Sequence, residues 1–239
     1  MSALIAADLL RLRTVRSPAY GAAAILAVVA LTTIMNVRPV VRGHPGPAVL
    51  PDSLRSIALI GVLMACVLGA TNIATHFQGG SAAMTYLRHP HRGRVGASQA
   101  VTYAALGFVF TAVVAAVVLA VGAAVAGSDQ FVASYSALDV ARMIGGTAAG
   151  GAVLGAIGVF IGTVLRNSAV ASGAPPAWYF VELTFAPSSI QPYLPFGLVQ
   201  WLMGGSADLS LPGAIGLLFA YAAVLSVIAV KWAVPRDLT

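Results

Sequence analysis

Six apolar runs of about 20 residues follow one another along the chain, at 18–36, 55–77, 99–126, 141–165, 169–187 and 211–231. A helix rises about 1.5 Å per residue, so about 20 residues suffice to cross a hydrocarbon core about 30 Å thick. Charge is correspondingly scarce. Of 239 residues, 59% are hydrophobic and 8% charged, whereas soluble domains carry about 25% charged residues. So little charge cannot cover a water-facing surface, and most of the surface is expected to face lipid. The expected fold class is therefore an all-α membrane protein with six transmembrane helices.

The connections leave no room for a separate folded domain. Residues 37–53 contain four prolines, Pro39, Pro45, Pro47 and Pro51. Each removes a backbone donor and fixes φ, so this stretch is expected to interrupt the helices on either side. Residues 188–210 carry Pro192, Pro195, Gly204 and Gly205 beside Tyr193, Phe196 and Trp201. That mixture points to short helical pieces at a membrane face. Ahead of the first run, Ile5, Leu9 and Leu12 fall on one helical face, with Asp8 and Arg11 on another. Residues 1–17 are thus read as an amphipathic interface helix, and 18–239 as the six-helix domain. The basic N-terminus before an apolar run has the look of a signal peptide. It lacks a clear small-residue cleavage site and five more runs follow, so the first run is expected to be retained.

Basic residues orient the chain. With a cytoplasmic N-terminus, the inner segments hold Arg11, Arg13, Arg16, Arg88, Arg92, Arg94, Arg166, Lys231 and Arg236, and the outer ones Arg38, Arg42, Arg55 and Arg142. Both termini are accordingly expected in the cytoplasm, with the protein multi-pass in the inner (plasma) membrane. The formal charge of +6 sits in clusters between apolar runs, which points to a lipid bilayer as partner and not to nucleic acid.

No enzyme motif is found. The P-loop pattern, zinc-ligand spacings and the nucleophile elbow are absent from the sequence, so no catalytic site, bound cofactor or metal is expected. His44, His76, His89 and His91 are scattered, and the single cysteine, Cys66, lies in an apolar run as a small hydrophobe. Three features remain. Glu182 is the one carboxylate expected within a run; at that depth it must face protein or water, either lining a substrate path or fixing a helix. Gly151, Gly155, Gly158 and Gly162 recur along the fourth run. Small residues at such spacing let helices approach closely, within one subunit or at a dimer seam. Finally, residues 78–98 run from Gly79–Gly80 through SAAMTYLRH to Pro90, with Arg88, Arg92 and Arg94 all ahead of the third run. This segment is either a positive anchor near anionic lipid or a docking element that offers Met84, Tyr86 and Leu87 to a cytoplasmic partner. Pro175 and Pro176 are expected to kink the fifth run or to mark its start.

In order, AADLLRLRTVRSPAY before the first run, LRHPHRGRVGASQAV before the third, GVFIGTVLRNSAVA leaving the fourth and YLPFGL after the fifth resemble an ABC-2 type transporter permease. That is the membrane subunit of an ATP-binding-cassette exporter, and the similarity runs over essentially the whole chain. The resemblance implies a permease dimer, with itself or a homologue, over two cytoplasmic ATPase subunits that bind ATP and Mg. It implies an elbow helix at residues 3–15 and small helices, partly re-entering from outside, at 188–210. It also implies a coupling helix within 81–88, where Met84, Tyr86, Leu87 and Arg88 would dock on the ATPase. A stand-alone secondary transporter or channel, and a membrane scaffold or immunity protein, are the alternatives. The lack of sequence repeats and of paired intramembrane acids counts against the secondary transporter.

Overall fold

The computed structural model describes residues 17–42, 49–80, 92–204 and 210–233. The expected interface helix at 3–15 and the docking segment at 81–88 lie outside these residues. Every regular element among the described residues is helical: α1 (Ser17–Arg42), α2 (Val49–Gln78), α3 (Arg92–Ala126), α4 (Ser128–Ser134), α5 (Ala137–Leu165), α6 (Ser168–Phe185), a 3₁₀ turn (Gln191–Tyr193), α7 (Pro195–Leu202) and α8 (Leu211–Ala233). Among the described residues four helices are long and apolar enough to cross a membrane, within Val49–Gln78, Gly93–Ala126, Ala137–Leu165 and Pro212–Ala229. The chain thus has the architecture of an α-helical membrane protein.

Local chemistry sets the ends. Gly80, at φ 68°, takes the left-handed conformation that closes α2, with Gly79 N–H donating to Thr75 O at 2.9 Å. Ser136 and Asp139 form a capping box at the start of α5. Asp139 N–H donates to Ser136 Oγ at 3.2 Å, and Ser136 N–H donates to Asp139 Oδ2 at 3.1 Å. Asn167 caps α6, its Oδ1 accepting from Ala169 N–H at 3.0 Å and Val170 N–H at 3.2 Å. That helix stops at Phe185 because Ala186 precedes Pro187 and is extended, at φ −75°, ψ 129°.

The prolines are handled differently from the sequence expectation. Helix α1 continues past Val37 and through Pro39 to Arg42, and α2 already contains Pro51. Pro39 lies in the last turn of α1, where it removes a single hydrogen bond. Pro51 stands in the first turn of α2, where an N–H has no intrahelical acceptor anyway. Only residues 43–48 of the expected interruption separate the two helices. Likewise α6 starts at Ser168 and runs through Pro175 and Pro176. They do not mark its start, because the Asn167 cap fixes the start seven residues earlier.

Helix α5 is the centre of the bundle. It packs on α2 and α3 along most of its length and also touches α6, α7 and α8; α1 lies against α2 and α3. Met143, Leu154 and Ile157 of α5 join Leu54 and Leu59 of α2 and Phe196 and Leu198 of α7 in one buried core. In lipid, apolar burial gives little drive for helices to associate, so close packing and interhelical hydrogen bonds must do it. The glycines of α5 permit that approach. A Cβ at Gly158 would stand 3.0 Å from Ala70 N and 3.1 Å from Cys66 C, with the Cys66 oxygen nearer still. One at Gly155 would meet Tyr103 O at 2.7 Å. Thr111 Oγ1, on α3, shares its proton between Gly107 O at 2.7 Å and Thr147 O of α5 at 3.0 Å.

Candidate functional site

Glu182 sits three residues from the end of α6, with 5% of its surface exposed. Trp178 and Tyr179 stand four and three positions before it, hence on the same helical face. Opposite them, α7 begins with Pro195, which enters the helix at a position where its missing donor costs nothing. The next residue donates its backbone N–H: Phe196 N to Glu182 Oε2, 3.2 Å. A carboxylate at a helix N-terminus meets the positive end of the helix dipole and satisfies an otherwise orphaned donor. Glu182 Oε1 is also buried and has no hydrogen-bond partner among the described residues.

Aromatic rings close around this contact. The Phe196 ring stands edge-on to Trp178 at 5.9 Å and to Tyr179 at 5.1 Å between centroids. Tyr221 of α8 donates its hydroxyl to Tyr193 O at 3.3 Å, tying α8 to the 3₁₀ turn before α7. Glu182 therefore shares its helical face with Trp178 and Tyr179, and its α7 partner Phe196 stands edge-on to both rings. Sequence spacing along α6 contains the Trp178 and Tyr179 part of this arrangement. Phe196 and Tyr221 carry no such signal, because they arrive from elements 14 and 39 positions away.

The glycines lie elsewhere in the bundle. Gly151 faces Thr111 and Gly107 of α3, Gly155 faces Tyr103 of α3, and Gly158 and Gly162 face Cys66 and Ala70 of α2. All four close contacts are made inside the chain. Met84, Tyr86, Leu87 and Arg88 lie outside the described residues. The α2 terminus that leads to them is fixed by Arg166, whose guanidinium lies 5.1 Å from the centre of the Phe77 ring. Arg166 occupies the left-handed region at φ 52°. For a side-chain-bearing residue that conformation costs about 1–2 kcal/mol, and here it ends α5 with Arg166 N–H donating to Gly162 O at 3.0 Å.

At the opposite end of the bundle, Arg55 pairs with Asp52 at 2.9 Å. Nearby, Tyr135 donates to Pro51 O at 3.4 Å, and burial pushes its phenol above the ordinary pKa. Phe131 stacks on Tyr135 at 5.0 Å within the same short segment, and the Tyr135 hydroxyl on Pro51 O ties α4 to the start of α2. Neither α4 nor this cluster is visible in the apolar pattern. No grouping of three or more His, Cys, Asp or Glu able to hold a metal occurs among the described residues. No protein-family model matches the chain, and no curated protein matches it.

Proposed function

We propose that this chain is the membrane-spanning permease subunit of an ATP-binding-cassette exporter. In this reading six helices, α1, α2, α3, α5, α6 and α8, cross the plasma membrane, with both termini in the cytoplasm. Two permease subunits form the path, and a separate ATPase subunit supplies ATP hydrolysis with its own Mg. The segment 81–88 docks on that ATPase through Met84, Tyr86, Leu87 and Arg88. Glu182 lines the path near its outer end.

The observation that carries this reading is the broken helical pair between the last two long helices. Helix α7 folds back against α5 and reaches α6 through Phe196, and the 3₁₀ turn Gln191–Tyr193 packs on α7. They occupy the stretch where the sequence resemblance calls for small re-entrant helices. The Arg166–Phe77 contact adds mechanical sense, since it joins the α5–α6 turn to the end of α2 from which the docking segment departs.

The test is purification of the tagged chain from its native membranes in mild detergent. A soluble chain bearing a P-loop should travel with it near one-to-one. Recovery of the chain alone in several detergents, without ATPase activity, would remove the exporter reading. A stand-alone secondary transporter is then the second reading. It draws on the buried Glu182 oxygen that lacks a donor, a group of the kind that binds coupling ions or substrates within membranes.

A further inference from the structure

From the geometry around Glu182 we infer that its carboxylate is the anchor of a binding site for an organic ammonium group. This rests on the reading of the chain as a transport subunit and names the substrate class that its Glu182 site would take.

Three observations converge. First, Oε2 is held by Phe196 N–H, so among the described residues the carboxylate is positioned by main chain and not by a cation. Second, Oε1 is buried and without a hydrogen-bond partner among the described residues, which leaves a strong acceptor in an apolar setting. Such a group is costly to leave unmade and correspondingly rewards a charged donor. Third, rings stand beside it: Trp178 and Tyr179 lie on its own helical face, with Phe196 edge-on to both. Aromatic faces attract ammonium and alkylammonium groups through their quadrupoles. Ca²⁺ and Mg²⁺ demand about six or more oxygen ligands. No metal-binding group of acids and histidines stands among the described residues. An anionic ligand is opposed by the charge of Glu182 itself. The site accordingly favours an amphiphilic amine whose N–H meets Oε1 and whose apolar body lies among the rings.

Oε1 is shut off from solvent in this conformation, so the amine reaches it when α7 shifts away from α6. That shift breaks the Glu182–Phe196 hydrogen bond and the two ring contacts. Both segments stay connected through the chain between Pro187 and Leu194.

The experiment measures binding of 1-pyrenemethylammonium by equilibrium dialysis against the full chain in lipid nanodiscs, with empty nanodiscs subtracted. 1-Pyrenecarboxylate, with the same ring and opposite charge, is the control. The wild-type chain should bind the ammonium saturably and the carboxylate not at all. Glu182→Gln should weaken ammonium binding about 10- to 100-fold, the loss expected for a charge-assisted hydrogen bond. Glutamine keeps an acceptor for Phe196 N–H, so thermal unfolding should stay close to wild type. Equal binding by the Glu182→Gln variant, or no saturable binding by the wild type, overturns the inference. A second readout needs no mutation: labelling of Glu182 by dicyclohexylcarbodiimide, read by peptide mass. The ammonium should protect Glu182 and the carboxylate should not; labelling that the ammonium leaves unchanged counts against the site. Neither readout involves an ATPase. A chain that binds ammonium yet recovers no P-loop partner retains this site and loses the exporter reading, and the reverse result does the opposite.

Discussion

Replacing Gly158 by alanine should loosen the contact between α5 and α2 on which the bundle is built. The added Cβ would stand 3.0 Å from Ala70 N and 3.1 Å from Cys66 C, and nearer still to the Cys66 oxygen. All three are main-chain atoms of a helix, so no side chain can swing aside and the two helices must separate. Overpacking of this kind costs about 1–3 kcal/mol. For a chain of this size each kcal/mol moves Tm by about 2–4 °C, so a fall of about 2–12 °C is expected. Gly173 on α6 and Gly216 on α8 supply the contrast, since a Cβ at either meets nothing within 4 Å. There alanine should be neutral or raise stability by up to about 1 kcal/mol through reduced backbone freedom. Thermal unfolding of the three purified variants in one detergent, followed by loss of the monodisperse chromatographic peak, makes the comparison. An unchanged Tm for Gly158→Ala, or an equal fall for Gly173→Ala, would refute the packing argument.

Three further outcomes are expected. Phe196→Ala, which empties a buried site between Trp178 and Tyr179, should lower stability by about 3–5 kcal/mol; the same thermal assay checks it. Ser136→Ala removes half of the α5 capping box and should cost about 0.5–2 kcal/mol, visible as faster amide exchange in the first turn of α5. Replacing Tyr86 and Leu87 together by Asp should abolish capture of the ATPase partner while insertion, assayed by membrane fractionation, stays intact.

The long apolar elements were legible because the bilayer imposes both length and composition on a helix that crosses it. Their ends were less so. The 37–53 stretch looked like a break because it holds four prolines, yet Pro39 and Pro51 fall within terminal turns, where a missing donor costs little. The start of α5 at Ala137 depends on a Ser–Asp pair, which is weaker as a sequence signal than the Glu or Gln version of the capping box. Glu182 announced itself by charge in an apolar run. Its partner did not, because Phe196 acts through a main-chain N–H that any residue but proline supplies. The direction in which each glycine of α5 faces was likewise hidden. Spacing says that small residues share a stripe, whereas only the packed helices show that Gly155 meets α3 and Gly158 meets α2.

The most direct test of the permease reading places a photo-crosslinking amino acid at position 86 and irradiates native membranes. The account predicts a covalent adduct between this chain and a soluble, P-loop-bearing ATPase, lost when the crosslinker is moved to the exposed Phe219 on α8. Crosslinks to lipid alone from position 86, in cells where the chain is inserted and stable, would contradict it.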